Sequence, residues 1–234
     1  DGNVYLTDDE TFETDILFTP EIGRITAASL SSDETTLALA TDTGIIQLWD
    51  ITTQEPLTEA FTAHSATIFA LAISPDNTQL ASGGDDRQVV IWNIDDLKAD
   101  TFDSFQILAG HSDGVFDVAW NATHPILASA SRDNTIRIWD LETMETSLVL
   151  EGHQDDVEVV TFDPLGDWLV SGGRDNNILL WNMWGILEGE DVHAELLGSH
   201  ADWVLALEFS SEGDILVSGG RDRAIIVWDV DRME

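Results

Sequence analysis

The sequence contains no cysteine and a single lysine, Lys98, among nine basic residues. Without cysteine, neither a disulfide framework nor a thiolate metal site can form. That fits a reducing compartment, and the expected localisation is cytoplasmic, with any targeting signal outside this chain. No apolar run approaches the roughly 18 residues that a membrane-spanning helix needs. The first residues, Asp1-Gly2-Asn3-Val4-Tyr5, lack an initiator Met and the basic and apolar regions of a signal peptide. The chain therefore reads as a piece of something longer. Helical periodicity is missing, and so is the Gly-x-x-x-x-Gly-Lys-Ser/Thr loop that cradles nucleotide phosphates.

What the chain has in abundance is acid: 45 Asp and Glu against 9 Lys and Arg, a formal charge of −36. Such a field repels nucleic-acid phosphates and anionic lipid and steers cationic partners inward. The favoured reading is the plainer one, a solvated acidic surface of a kind that suits high salt. Hydrophobic residues make up 43% of the chain, enough for a buried core and too many for disorder.

The acid is laid over an internal repeat. Trp followed by Asp or Asn occurs at Trp49, Trp92, Trp139, Trp181 and Trp228, at spacings of 43, 47, 42 and 47 residues. His64, His111, His153 and His200 each precede the next of these tryptophans by 28 residues. Ser82, Ser129, Ser171 and Ser218 lie 10 residues before their Trp, and Asp86, Asp133, Asp175 and Asp222 lie 6 before. Between the markers run short β-rich segments such as Ile68 to Ile73, Gln79 to Ser82 and Val89 to Trp92, separated by polar turns. Weaker fourth strands fall in connectors such as Phe105 to Leu108 and Ser147 to Leu150. Four strands per roughly 44 residues describe a propeller blade.

The units Gly110-His111 to Trp139-Asp140 and Gly152-His153 to Trp181-Asn182 resemble WD40 repeats, and the resemblance covers essentially the whole chain. It implies an all-β fold, a β-propeller of four-stranded antiparallel blades, with five blades covered. Residues 1–8 read as the end of a preceding repeat and 9–50 as a degenerate one. Full repeats follow at 51–93, 94–140, 141–182 and 183–229, with a tail at 230–234.

The resemblance also implies a buried hydrogen-bond chain in each full blade, from Trp indole to Ser, Ser to His and His to Asp. The sets are His64–Ser82–Asp86–Trp92, His111–Ser129–Asp133–Trp139, His153–Ser171–Asp175–Trp181 and His200–Ser218–Asp222–Trp228. The residue types suit it, because Trp only donates, Ser and His do both, and Asp accepts. Ser, His and Asp together also suggest a hydrolytic triad. Against that, the trio recurs four times, is tied to a Trp, and has no serine in a Gly-x-Ser-x-Gly elbow. The histidines belong to separate blades, so no zinc site and no cofactor are expected. His124 and His193 read as isolated loop residues.

The first repeat departs from the pattern, with Glu21, Leu39 and Thr43 at the His, Ser and Asp positions. Apolar packing of Ile25, Leu37, Leu39, Ile46 and Leu48 is expected to hold it, with the lowest stability of the five. Thr7 stands where a still earlier Trp would fall. Two closures stay open. The strand around Asp15-Ile16-Leu17-Phe18 docks on the last blade and closes a five-bladed ring, or the chain belongs to a larger propeller. The start inside a repeat favours the second, in which further propeller segments or a second copy complete the ring.

The position before each turn Asp holds Asp85, Arg132, Arg174 and Arg221. Three arginines at one structural position form an arc, either as a site for carboxylates or phosphates or as local partners of neighbouring Asp, which is the favoured reading. Trp203 beside them is either a binding anchor or a residue packed between blades. Trp184 lies in a long acidic connector. The leading expectation is a non-catalytic interaction scaffold for a protein or peptide, the sensor or binding module of a larger multidomain protein, without nucleic-acid or membrane partners. The alternatives are an assembly unit that pairs through open blade edges and, less favoured, a propeller enzyme with a channel site.

Overall fold

In the computed structural model, residues 3–7, 14–183, 185 and 192–230 are described. Period-2 alternation with bulky residues on both faces makes each repeat a strand meander buried on two sides. Blade 1 comprises β3 (Ile25–Leu30), β4 (Thr36–Thr41) and β5 (Ile45–Asp50), with its outer edge in two short pieces, β6 (Glu55–Pro56) and β7 (Phe61–Thr62). Blade 2 is β8 (Ile68–Ile73), β9 (Gln79–Gly84), β10 (Gln88–Asn93) and β11 (Phe105–Ala109). Blade 3 is β12 (Val115–Trp120), β13 (Ile126–Ser131), β14 (Thr135–Asp140) and β15 (Glu145–Glu151). Blade 4 is β16 (Val157–Phe162), β17 (Trp168–Gly173), β18 (Asn177–Asn182) and β19 (Glu195–Ser199). Blade 5 has three described strands, β20 (Val204–Phe209), β21 (Ile215–Gly220) and β22 (Ile225–Asp229). All pairings are antiparallel, and the innermost strands β3, β8, β12, β16 and β20 pack side by side in that order.

The core consists of four layers, one between each pair of neighbouring blades. In blade 3, Ile136 and Ile138 face blade 4 while Trp139 on the same strand faces blade 2. Two of the layers need close approach at their inner end, at a position where blades 1 and 3 have Ala40 and Ala130. A Cβ on Gly83 would come within 2.7 Å of a Val115 methyl, and one on Gly172 within 2.4 Å of a Val204 methyl. Gly219, at the same position in blade 5, would meet only the Ala206 Cβ, at 3.7 Å. No comparable packing joins β20 to β3 among the described residues.

The strand around Asp15–Phe18 does not close the ring on blade 5. It forms β2 (Thr14–Phe18), paired antiparallel with β1 (Val4–Thr7), and the Phe18 ring stacks on Trp49 at 4.3 Å. The physical reason is local: a hairpin partner ten residues away outcompetes a distant edge, and its aromatic anchors on blade 1. The hairpin lies on the flank of blade 1 that faces away from blade 2, with Val4 beside Ile25 and Leu37. One further departure is the helix α1 (Ile94–Lys98), in a connector that had no helical signal. Asn93 caps it by accepting from the Asp96 N–H, and Ile94 and Leu97 bury into the layer between blades 1 and 2. Trp184 and the tail from 231 onward lie outside the described residues.

Blade tetrads and a candidate binding face

Each full repeat brings its four marker side chains together. In blade 3 the Trp139 indole N–H donates to Ser129 Oγ at 2.8 Å, His111 Nε2 lies 2.7 Å from that oxygen, and His111 Nδ1 lies 2.9 Å from Asp133 Oδ2. The same contacts are 3.3, 2.8 and 2.8 Å in blade 2. They are 2.9, 2.8 and 3.0 Å in blade 4, and 2.9, 2.8 and 3.1 Å in blade 5. One tautomer satisfies every group: the Nδ1–H donates to Asp, and Nε2 accepts the Ser hydroxyl while the Ser oxygen accepts the indole N–H.

The aspartates do more than hold His. Asp133 accepts the backbone N–H groups of Ser112 and Thr135, and Asp175 those of Gln154 and Asn177, so one carboxylate ties two loops together. Burial alone would raise Asp175, but the His153 hydrogen bond and the Gln154 N–H outweigh it and hold the carboxyl at about 2. Asp133 and Asp86 are lowered in the same way: burial is outweighed by His111 together with Thr135 and the Ser112 N–H, and by His64 together with the Ser65 and Gln88 N–H groups. Ser82, Ser129, Ser171 and Ser218 are fully buried, so a substrate cannot reach the hydroxyls of these trios.

One segment does spell the nucleophile-elbow pattern, Gly110-His111-Ser112-Asp113-Gly114, around a different serine. It links strands β11 and β12 without the following helix that an elbow requires, and His111 is already engaged by Ser129 and Asp133. His124 is half-buried with its Nδ1 2.9 Å from Thr123 Oγ1, and His193 is exposed. Among the described residues, no three His, Asp or Glu side chains converge at metal-binding spacing.

Blade 1 solves the same problem differently. Leu39, Ile46 and Leu48 are buried as expected, but Ile25 and Leu37 stay half-exposed toward the β1–β2 hairpin. Glu21 is exposed, and Thr43 contacts Thr41 by hydroxyls 3.0 Å apart. The Trp49 indole donates to Gln47 Oε1 at 2.9 Å, and Gln47 Nε2 donates to the Thr58 carbonyl at 3.1 Å. Gln47 thus takes over the role of the absent Ser. Its signal was a polar residue two before Trp, where blades 2, 4 and 5 place Val90, Leu179 and Ile226, although blade 3 also has a polar residue there, Arg137.

On the face that carries these turns, the arginine positions form a stacked array. The Arg132 guanidinium lies 4.9 Å from the Phe116 ring centre, and Arg174 lies 5.4 Å from Phe116 and 4.3 Å from Trp203. Arg221 also lies over Trp203, at 4.3 Å. Trp203 is therefore packed between blades 4 and 5. Phe116 was not singled out from sequence; its only signal is the aromatic at the equivalent Phe69, whose ring meets it edge-on at 5.3 Å.

Carboxylates surround the array. Arg132 pairs with Asp85 at 3.1 Å and Asp113 at 3.5 Å, and Arg174 with Asp156 at 2.8 Å and with Glu158. Arg221 is looser, 4.0 Å from Asp202, with 55% of its side chain exposed.

Five stacked antiparallel sheets, four of them with turns braced by a recurring Trp–Ser–His–Asp chain, define a β-propeller protein of repeated blades. Known proteins agree. The WD domain, G-beta repeat model matches residues 102–140, 144–182 and 192–229, and a Vps42 beta-propeller model matches 22–110. The chain belongs to the WD40-repeat family. It is 31% identical over 133 residues to human Striatin-4, covering 50% of this chain and 18% of that protein. WD repeat-containing protein WDS homolog of Arabidopsis thaliana is 35% identical over 119 residues, covering 49% and 22%. Protein transport protein SEC13 of Phaeosphaeria nodorum is 51% identical over 49 residues, covering 19% and 16%. The matched part is thus about a fifth of these relatives' length. WD40 propellers are generally protein-interaction scaffolds.

Proposed function

We propose that this chain is a non-catalytic binding module of a larger multidomain protein, and that its contact face for a protein or peptide partner is the array Asp85, Arg132, Phe116, Arg174, Trp203 and Arg221. The observation that carries the reading is Trp203 in contact with two guanidiniums, those of Arg174 and Arg221. The large aromatic and the doubly paired Arg174 are held before any partner arrives, so little of their side-chain entropy is lost on binding. Five carboxylates, Asp85, Asp113, Asp156, Glu158 and Asp202, outnumber the three arginines, which favours a protein surface over nucleic-acid phosphates or anionic lipid. A cytoplasmic setting remains the reading of the cysteine-free composition.

The test compares affinity capture by the wild-type chain with capture by Trp203→Ala and Arg221→Ala. The proposal expects the same partners to be lost from both variants while thermal unfolding stays cooperative. Retention of every partner by both variants counts against it. A second reading, assembly through open blade edges, is favoured by one feature: β22 has no strand on its outer side among the described residues, and Ile225 and Val227 are 77% and 64% exposed.

A further inference from the structure

The opposite face of the molecule carries the turns between the first two strands of each blade, and there three of the four blade junctions are fastened. Between blades 1 and 2, the Ser32 N–H donates to Asn77 Oδ1 at 2.9 Å, and the Ser32 hydroxyl donates to the Pro75 carbonyl at 3.1 Å. Between blades 2 and 3, the Trp120 indole donates to the Ala72 carbonyl at 2.8 Å. Between blades 3 and 4, Asn121 Nδ2 and Thr123 Oγ1 donate to the Gly166 and Leu165 carbonyls, both at 2.9 Å. Blade 4 has Pro164 and Leu165 where blade 1 has Ser32 and blade 3 has Thr123. Neither has a side-chain donor, and Pro has no N–H either. The turns of blades 4 and 5 accordingly share no hydrogen bond among the described residues.

A cavity of about 340 Å³ opens at this unfastened junction. Its walls are apolar: Trp168, Leu180, Leu197, Phe209 and Leu216 line it. Its rim carries Asp167, Glu212 and Asp214, while none of the lining residues is basic. Asp214 accepts from Ser210, whereas Asp167 and Glu212 form no ion pair among the described residues. Leu165, 65% exposed, stands at the mouth. The volume lies at the small end of ligand sites, enough for one or two side chains and not for a helix.

We infer that the junction of blades 4 and 5 is a second docking site, which takes a basic peptide segment by inserting an aliphatic or aromatic side chain between Trp168 and Phe209 while flanking Arg or Lys residues meet Asp167 and Glu212. Charge complementarity selects this occupant: an acidic or neutral peptide would bring no counter-charge to a carboxylate rim on a chain of net charge −36. The site lies away from the arginine array and does not depend on it.

The test uses the full chain and two fluorescein-labelled peptides, one with four arginines around a central Leu and one with Gly in its place. Anisotropy at physiological salt is expected to show the Leu peptide binding about tenfold or more tightly than the Gly peptide. Asp167→Asn with Glu212→Gln weakens both peptides. Leu197→Trp fills the cavity and removes the Leu preference without changing Gly-peptide binding; Val230→Trp, at the same cavity, serves if that variant does not fold. Trp203→Ala, in the other face, changes neither peptide. Equal binding of the two peptides would mean diffuse attraction to an acidic chain and overturns the proposal. So does a Leu preference that survives filling, or one that appears only after residues 231–234 are removed, which assigns the cavity to the chain's own end.

Discussion

A buried serine with two polar neighbours is the smallest unit on which this molecule depends. Ser129 Oγ meets both the Trp139 indole and His111 Nε2 in a site closed to water. Replacing it by Ala leaves two buried groups without a partner, at a cost of about 1–3 kcal/mol. Urea unfolding of Ser129→Ala should show that loss, and an unchanged midpoint would contradict the tetrad's bracing role. Two carboxyls make opposite demands on pH. Asp175 is held at about 2 in the fold. Its contribution is therefore complete above the ordinary carboxylate range and disappears as pH falls toward 2. Asp117 runs the other way. Half-buried between blades 3 and 4, it accepts from the Val118 and Val160 N–H groups, yet desolvation, assisted by Glu208, raises it to about 7. The native state then binds the extra proton between about pH 4 and 7, so this group takes stability away as pH rises through that window. Asp117→Asn should flatten melting temperature against pH between 4 and 7 and leave the acid limb in place.

At the scale of the strand and turn, most of the architecture was readable because the repeat constrains it. The first three strands of blades 2 to 5 are bounded by His, Ser, Asp and Trp at fixed intervals, and the strands of the inner blades pack on two sides. The outer strands have one paired edge and few markers, and there the sequence was weaker: blade 1 splits its outer edge into β6 and β7, and α1 replaces plain connector. A five-residue helix offers too little periodicity to detect, and its cap at Asn93 is hidden in the residue after the repeat's Trp. The braces of the candidate site were legible as marker residues, but Gln47 and Phe116 were not, since each acts only through a neighbour that folding supplies. A regularity visible only in the backbone is the residue after each turn Asp. Arg87, Asn134, Asn176 and Arg223 have φ between 68° and 71°, and Gly44 in blade 1 has φ 80°. Left-handed backbone costs a β-carbon-bearing residue about 1–2 kcal/mol, less for Asn. Asn134→Ala should therefore lower stability by about 1 kcal/mol, while Asn134→Gly should be near neutral; equal losses would place the cause elsewhere.

For the molecule as a whole, the charge of −36 works against compactness, because exposed carboxylates on every blade repel one another. Added salt screens that repulsion over about 8 Å at 0.15 M and less at higher concentration. Melting temperature should climb as sodium chloride is raised from about 0.05 M to about 1 M, the window in which screening tightens; a flat or falling trend would show that local pairs, not the net field, set the electrostatics. The repeated blades give this acidic chain a rigid frame, and the frame places one ion-paired, aromatic array on one face. The most direct test of the binding claim is hydrogen exchange of the chain with and without a protein partner captured from its source. The account predicts slowed exchange in 111–116, 153–158 and 200–204, the loops that carry Phe116, Asp156 and Trp203. Protection confined to the open edge of β22, with those loops unchanged, would contradict it.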